Sequence, residues 1–269
     1  MPGWLIGIIS VALLGLLLGV VLTVAAKLFK VKSNPLTDKV REELPGINCG
    51  ACGYVGCDSY AEALTKQEGV EPNLCTPGGE SVARKICEIL DIPFSQMLAK
   101  HAVLRCAGSL DHTTYVMDWQ SVNSCAANKT FYRGRSSCYQ ACLGYGDCVL
   151  ACPFDAIQIV NGIAVVNRNR CTGCGICVDV CPNNLFMLTT GEDLVYVACS
   201  SHAKGKDTRK GCTTGCIACN RCVKACKFDA ITINHNLAVI DQGKCTQCGD
   251  CIPVCPVKII KRIGVPCDD

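Results

Sequence analysis

The sequence has no Walker loop, no G-x-G-x-x-G fingerprint and no recognisable nucleophile–base pair. Those absences exclude a nicotinamide site and hydride chemistry on this chain, so no catalytic residue is assigned. Charge of one sign is also lacking. The formal net charge is +3, which gives no case for nucleic acid as a partner. Aromatic residues are few, at 6%, so a conventional aromatic core is not expected to carry the fold. No Lys or Arg precedes the apolar run that begins at Leu5, which argues against a secretory signal peptide.

Cysteine is what the chain has in excess: 26 of 269 residues. That share is near the ~8–10% that normally marks a disulfide scaffold. The spacing argues otherwise, because C-x2-C-x2-C runs place three thiols too close in sequence to pair with one another. Metal ligation is the remaining use of so many thiols.

Most of them fall in a repeat. Cys138, Cys142, Cys148, Cys152, Cys171, Cys174, Cys177 and Cys181 recur 74 residues later, without a gap, as Cys212, Cys216, Cys222, Cys226, Cys245, Cys248, Cys251 and Cys255. Phe154-Asp155-Ala156-Ile157 recurs as Phe228-Asp229-Ala230-Ile231, and Pro182 as Pro256. A fixed period means two copies of one module. The second half of each copy reads C-x2-C-x2-C-x3-C-P, the bacterial ferredoxin run, in which the fourth Cys ligates the other cluster of a pair. Between the motifs, apolar runs flank Asn161-Gly162 in one copy and Asn234-His235-Asn236 in the other, a hairpin signal. Each copy therefore resembles a two-cluster ferredoxin domain, a pseudo-two-fold α+β unit.

That resemblance implies the ligands. In the first module Cys138, Cys142, Cys148 and Cys181 hold one cluster, and Cys171, Cys174, Cys177 and Cys152 the other. In the second, Cys216, Cys219, Cys222 and Cys255 hold one, and Cys245, Cys248, Cys251 and Cys226 the other. Cys212 aligns with Cys138, while Cys219 stands opposite Tyr145, so two readings of the second module are open. Ordinary ferredoxin spacing favours Cys219 and leaves Cys212 spare.

Leu5 to Ala26 carries no charge over 22 residues. As a helix it spans about 33 Å, enough for a ~30 Å hydrocarbon core. Lys27, Lys30, Lys32, Lys39 and Arg41 follow it, which places the N-terminus outside and the rest in the cytoplasm, where thiols stay reduced. Beyond a short charged linker, Cys49, Cys52, Cys57 and Cys75 form C-x2-C-x4-C-x17-C. Gly50, Gly53 and Gly56 let backbone N–H groups turn toward these sulfurs, as a [4Fe–4S] cluster requires. Structural zinc usually shows two separated C-x2-C knuckles, and this segment has one. Helical patterns at 58–68 and 80–90 complete a small domain. Short strands are expected at 102–105 and 114–117. His101 and His112 stand alone and are not expected to ligate metal. Cys125 has an echo at Cys199.

The expected layout is α+β. It has a transmembrane anchor (1–30), a helical single-cluster domain (31–95), a connecting segment (96–130) and two tandem two-cluster ferredoxin-like modules (131–190 and 191–269). Five [4Fe–4S] clusters use 20 thiols and leave Cys87, Cys106, Cys125, Cys199, Cys212 and Cys267 unassigned.

With Asn48-Cys49-Gly50-Ala51-Cys52-Gly53, Cys142-Leu143-Gly144-Tyr145-Gly146-Asp147-Cys148 and the apolar N-terminus in this order, the chain resembles the B subunits of Rnf complexes. These belong to membrane-bound, ion-translocating ferredoxin:NAD+ oxidoreductases. The resemblance implies a single-pass protein of a bacterial or archaeal cytoplasmic membrane. It would take electrons from soluble ferredoxin and relay them to flavin-bearing membrane subunits, with Na+ or H+ translocation in the complex. Many members carry one two-cluster module; this chain has two. A ferredoxin-like subunit of a non-pumping membrane dehydrogenase or hydrogenase is the alternative. A redox sensor, which needs a single cluster, suits the cysteine count poorly.

Overall fold

The computed structural model describes residues 2–28, 34–66, 69–95, 99–191 and 193–264. Cys267, and the flanking Lys30 and Lys32, lie outside the described residues. Helix α1 (Gly3–Leu28) is apolar almost throughout, and its apolar stretch is not buried against any of the described residues. It is long and apolar enough to cross a membrane.

Three helices follow: α2 (Pro35–Glu43), α3 (Cys57–Lys66) and α4 (Gly79–Leu90). Asn34 caps α2 by accepting the Leu36 N–H at 3.1 Å, and Pro35 occupies the first turn, where its missing N–H costs nothing. The three helices bury Val40, Tyr60, Ala61, Leu64 and Ile86 around Cys75. Cys87 is buried on α4, as a core residue rather than beside the other thiols of this domain.

The two repeat copies follow, each built from short helices and two two-stranded sheets. The first contains β1 (Lys100–Leu104), α5 (Cys125–Tyr132), α6 (Asp147–Leu150), β2 (Ile157–Val160), β3 (Ile163–Val166), α7 (Ile176–Val180) and β4 (Phe186–Thr190). The second contains β5 (Leu194–Val197), α8 (Gly205–Gly211), α9 (Arg221–Ala225), β6 (Ile231–Asn234), β7 (Leu237–Ile240) and β8 (Ile260–Ile263). The β2–β3 hairpin turns at Asn161 (φ 48°) and Gly162 (φ 80°), and β6–β7 at His235 (φ 45°) and Asn236 (φ 65°). Two successive left-handed residues make the tight turn that matches strand twist.

In both copies an early strand closes on the last one. β1 pairs antiparallel with β4, Lys100 opposite Thr190 and Leu104 opposite Phe186. β5 pairs with β8, Leu194 opposite Ile263 and Val197 opposite Ile260. The segment expected as a connector thus supplies the first copy with a strand and with α5. The strand expected at 114–117 is reduced to a single bridge, Tyr115 to Ser136, and Tyr115 lies beneath the Arg135 guanidinium at 3.9 Å. Gly173 lets the backbone of β1 approach the Cys171–Cys177 loop, since a Cβ there would collide with the Lys100 carbonyl.

Neither copy has a large aliphatic centre. The first buries Ala102, Leu104, Ile157, Ala164, Leu185 and Phe186 together with Cys142, Cys148 and Cys177. The second buries Val195, Ile231, Leu237, Ile259 and Ile260 with Cys199, Cys216, Cys222 and Cys251. Thiols replace much of what would otherwise be hydrocarbon.

Candidate metal centres

In the N-terminal domain the four expected cysteines share one environment. Cys57 opens α3, and its N–H is capped by Asn48 Oδ1 at 2.8 Å. The Tyr60 hydroxyl donates to the Glu71 carbonyl at 2.7 Å and accepts from the Leu74 N–H at 3.3 Å, pinning the chain just before Cys75. Burial pushes the Cys75 thiol up to about 11, and the nearby Cys57, Cys49 and Cys52 thiols add to it.

Cys152, Cys171, Cys174 and Cys177 line a cavity of about 310 Å³, walled by Ala102, Phe154, Ala156 and Ile157. The Ala102 N–H points at Cys171 Sγ, 3.4 Å away. Burial drives Cys177 up to about 12, with Cys171, Cys174 and Cys152 contributing.

A second cavity, of about 330 Å³, is lined by Cys142, Cys148, Cys181 and Cys125. The ferredoxin resemblance implies Cys138 at the fourth position, and the structure does not bring Cys138 there. Cys125 stands in its place, carried by the first turn of α5. The cause is local. Asp147 accepts the N–H groups of Cys125 at 2.8 Å and Ala126 at 3.0 Å, and the Ser124 hydroxyl at 2.9 Å, which holds the start of α5 against this cavity. Burial lifts Cys148 to about 12, followed by the influence of Cys142, Cys125, Cys181 and Cys177.

In the second copy, burial raises Cys222 to about 11, and Cys216, Cys219 and Cys255 are the thiols that bear on it. Cys219 and Cys248 are exposed. Cys251 rises to about 11 by burial, with Cys222, Cys245 and Cys248 nearby. Cys226 closes α9 and is half-buried.

Cys138 lines a third cavity, also about 330 Å³, together with Cys106, Cys199 and Cys212. Three of these four were unassigned from the sequence. The signal was an even set of spare thiols, two of them in the second copy and close to its first motif. His112, by contrast, pairs its Nδ1 with the Thr213 hydroxyl at 2.9 Å.

Neighbouring thiols also order the centres along the molecule. Cys49 bears on Cys174, Cys177 on Cys148, Cys142 on Cys106, Cys216 on Cys199 and Cys222 on Cys251. Among the described residues no three His, Cys, Asp or Glu side chains converge on a single ion position. Four thiols around one apolar cavity suit the all-cysteine ligation of an iron–sulfur cluster.

Known proteins match these regions. A family model for an Fe-S cluster covers residues 44–77, a 4Fe-4S binding domain covers 164–186, and a 4Fe-4S dicluster domain covers 215–259. The last begins beyond Cys212. The chain is 43% identical to the B subunit of the ion-translocating oxidoreductase complex of Methanosarcina acetivorans, over 92% of this chain and 94% of the relative. It is 37% identical to the B subunit of the proton-translocating ferredoxin:NAD(+) oxidoreductase complex of Clostridium ljungdahlii, over 95% and 91%. It is 40% identical to the B subunit of the Na(+)-translocating ferredoxin:NAD(+) oxidoreductase complex of Acetobacterium woodii, over 95% and 76%.

Proposed function

The chain belongs to the family of B subunits of ion-translocating oxidoreductase complexes, and from that membership we propose how its residues perform the electron transfer. It is an iron–sulfur electron-transfer subunit of a translocating oxidoreductase, associated with the membrane. A [4Fe–4S] cluster, when bound, takes up and releases electrons at a potential set by its ligands, hydrogen bonds and exposure.

We assign five ligand sets: Cys49, Cys52, Cys57 and Cys75; Cys152, Cys171, Cys174 and Cys177; Cys125, Cys142, Cys148 and Cys181; Cys216, Cys219, Cys222 and Cys255; and Cys226, Cys245, Cys248 and Cys251; the cavities lined by the second and third sets support the assignment. The protein's own work is to hold these thiols as thiolates, to exclude water and to aim backbone N–H groups at sulfur. Ala102 N–H toward Cys171, and Leu185 N–H toward Cys181 at 3.5 Å, perform the last of these.

The observation that carries this reading is the recurrence of apolar cavities lined by four thiols, two in the first copy and one at its junction with the second. Neighbouring thiols extend the series to Cys49 in the domain that follows α1 and to Cys222 and Cys251 in the second copy. Cys219 and Cys248 are exposed, which supports the second copy as the end that meets a soluble donor. Lys224 beside them is exposed, and Lys227 pairs with Asp250 at 3.4 Å. Lys206, Arg209 and Lys210 on α8 extend the basic surface. An acidic ferredoxin fits such a surface, electrons then pass toward Cys49–Cys75, and flavin-bearing membrane subunits receive them. The chain enters the membrane once, with its thiol domains on the cytoplasmic side.

Anaerobic iron, sulfide and zinc analysis of the purified chain, with EPR after dithionite reduction, tests the reading. At least about 20 iron per chain, with broad spin-coupled signals, is the expected result. Stoichiometric zinc with little iron would overturn it.

A further inference from the structure

The cavity lined by Cys106, Cys138, Cys199 and Cys212 lies between the two repeat copies, and each copy contributes the same pair of thiols to it. Cys138 and Cys212 are repeat-mates. Cys106 follows the end of β1 by two residues, and Cys199 follows the end of β5 by two. The backbone confirms the equivalence. The Cys142 N–H faces Cys106 Sγ at 3.4 Å, and its repeat-mate, the Cys216 N–H, faces Cys199 Sγ at 3.5 Å. We propose that these four thiolates hold a sixth [4Fe–4S] cluster on the pseudo-two-fold junction between the modules.

Its lining, four thiols among apolar side chains, is of the same kind as that around Cys125, Cys142, Cys148 and Cys181. Further donors address its sulfurs: the Ser201 N–H reaches Cys199 Sγ at 3.4 Å, and the Thr214 hydroxyl lies 3.4 Å from Cys212 Sγ. Gly108 forms part of the wall; a Cβ built there would lie in van der Waals contact with Cys212 Sγ and Cys106 Sγ, at 3.5 and 3.6 Å. All four thiols are free, so they are not spent on disulfides.

Hydrogen bonds between the copies cross the same seam. The Thr213 N–H donates to the His112 carbonyl at 2.9 Å, and the Thr113 hydroxyl to the Gly211 carbonyl at 2.8 Å. The Ser200 hydroxyl donates to the Arg105 carbonyl at 3.0 Å, and the His202 N–H to Gln140 Oε1 at 2.8 Å. The site is therefore preorganised at a seam the chain already closes.

This inference rests on the relay reading and completes it. Cys106 neighbours Cys142 on one side, and Cys199 neighbours Cys216 on the other. The junction site thus links the two modules. Six sites of four use every cysteine except Cys87 and Cys267.

The test uses the full chain, purified anaerobically in detergent, with iron, sulfide and zinc counted and Mössbauer and EPR spectra recorded. About 24 iron per chain is expected. Cys138→Ser and Cys199→Ser each remove about four iron, while Cys87→Ser removes none. Cys199→Asp converts one cluster to a three-iron form with its own oxidised-state EPR signal. If a serine variant fails to fold and loses all iron, the aspartate variant decides. Wild-type iron counts in Cys138→Ser and Cys199→Ser, or one zinc per chain that these variants lose, would overturn the sixth cluster. Both outcomes leave the other five sites standing. Failure of the relay reading shows instead as a wild-type chain poor in iron throughout.

Discussion

The Asp147 carboxylate accepts the Cys125 backbone N–H at 2.8 Å, and that bond ties the start of α5 to the cavity lined by Cys142, Cys148 and Cys181. Three donors meet the carboxylate, and the thiol they position takes a place that the local motif leaves without a cysteine. Tyr145 occupies the position where the second copy has Cys219.

Removing the positioned thiol should empty one set of ligands. Cys125→Ser is expected to lose about four iron per chain, with the signals of one cluster gone and the others unchanged. Because Tyr145 stands where the second copy has its ligand, Tyr145→Cys in the Cys125→Ser background should restore most of that iron. Iron counts unaffected by Cys125→Ser would show that the chamber is served by another residue.

The carboxylate itself carries a pH dependence. Burial alone would raise Asp147, but the N–H groups of Ala126 and Cys125 and the Ser124 hydroxyl outweigh it and hold the group below its ordinary value. A depressed carboxylate stabilises the fold above the unfolded value, near pH ~4, and that contribution is lost as pH falls through the folded value. Asp147→Ala should cost about 1–3 kcal/mol by orphaning the donors at the start of α5. Anaerobic hydrogen exchange would register it as faster exchange at Cys125 and Ala126. It should also flatten the acid limb of the stability profile seen in the parent chain.

Charge reversal on α8 separates docking from wiring. Lys206→Glu with Lys210→Glu is expected to slow reduction by an acidic ferredoxin roughly 10-fold at low salt, with the difference shrinking as ionic strength rises. Iron content should not change. A stopped-flow rate that is indifferent to these charges at every salt concentration would move the donor to another face.

Iron removal should unfold the two repeat copies. Their buried clusters are built around Cys142, Cys148, Cys177, Cys216, Cys222 and Cys251, and ligation supplies much of the folding free energy. Chelation should abolish cooperative thermal unfolding, followed by circular dichroism. An apo-chain with a native-like sharp transition would refute this.

What was legible in the sequence was local. The ligand spacings, both hairpins and the helices α3 and α4 are written within stretches of a dozen or so residues, where motif and turn chemistry suffice. Cys106 and Cys125 were not legible, because their partners lie far along the chain. The gapless repeat aligns Cys125 with Cys199, whereas the fold makes Cys106 the counterpart of Cys199. Residues between β1 and α5 have no match in the second copy, so the sequence offset fails there. Cys138 is a related case: its spacing to Cys142 resembles a ferredoxin ligand, while in the fold it lines the cavity at the seam with Cys106, Cys199 and Cys212.

The pairing of β1 with β4 constrains how the molecule can be made. Lys100 finds Thr190 only after the whole of the first copy has left the ribosome, and Cys106 meets Cys212 later still. Closure across such distances is slow. A nascent chain must therefore carry many reduced thiols in the open before its chambers exist. The junction cavity is therefore completed after those of the first copy, and its thiols need protection from oxygen until then.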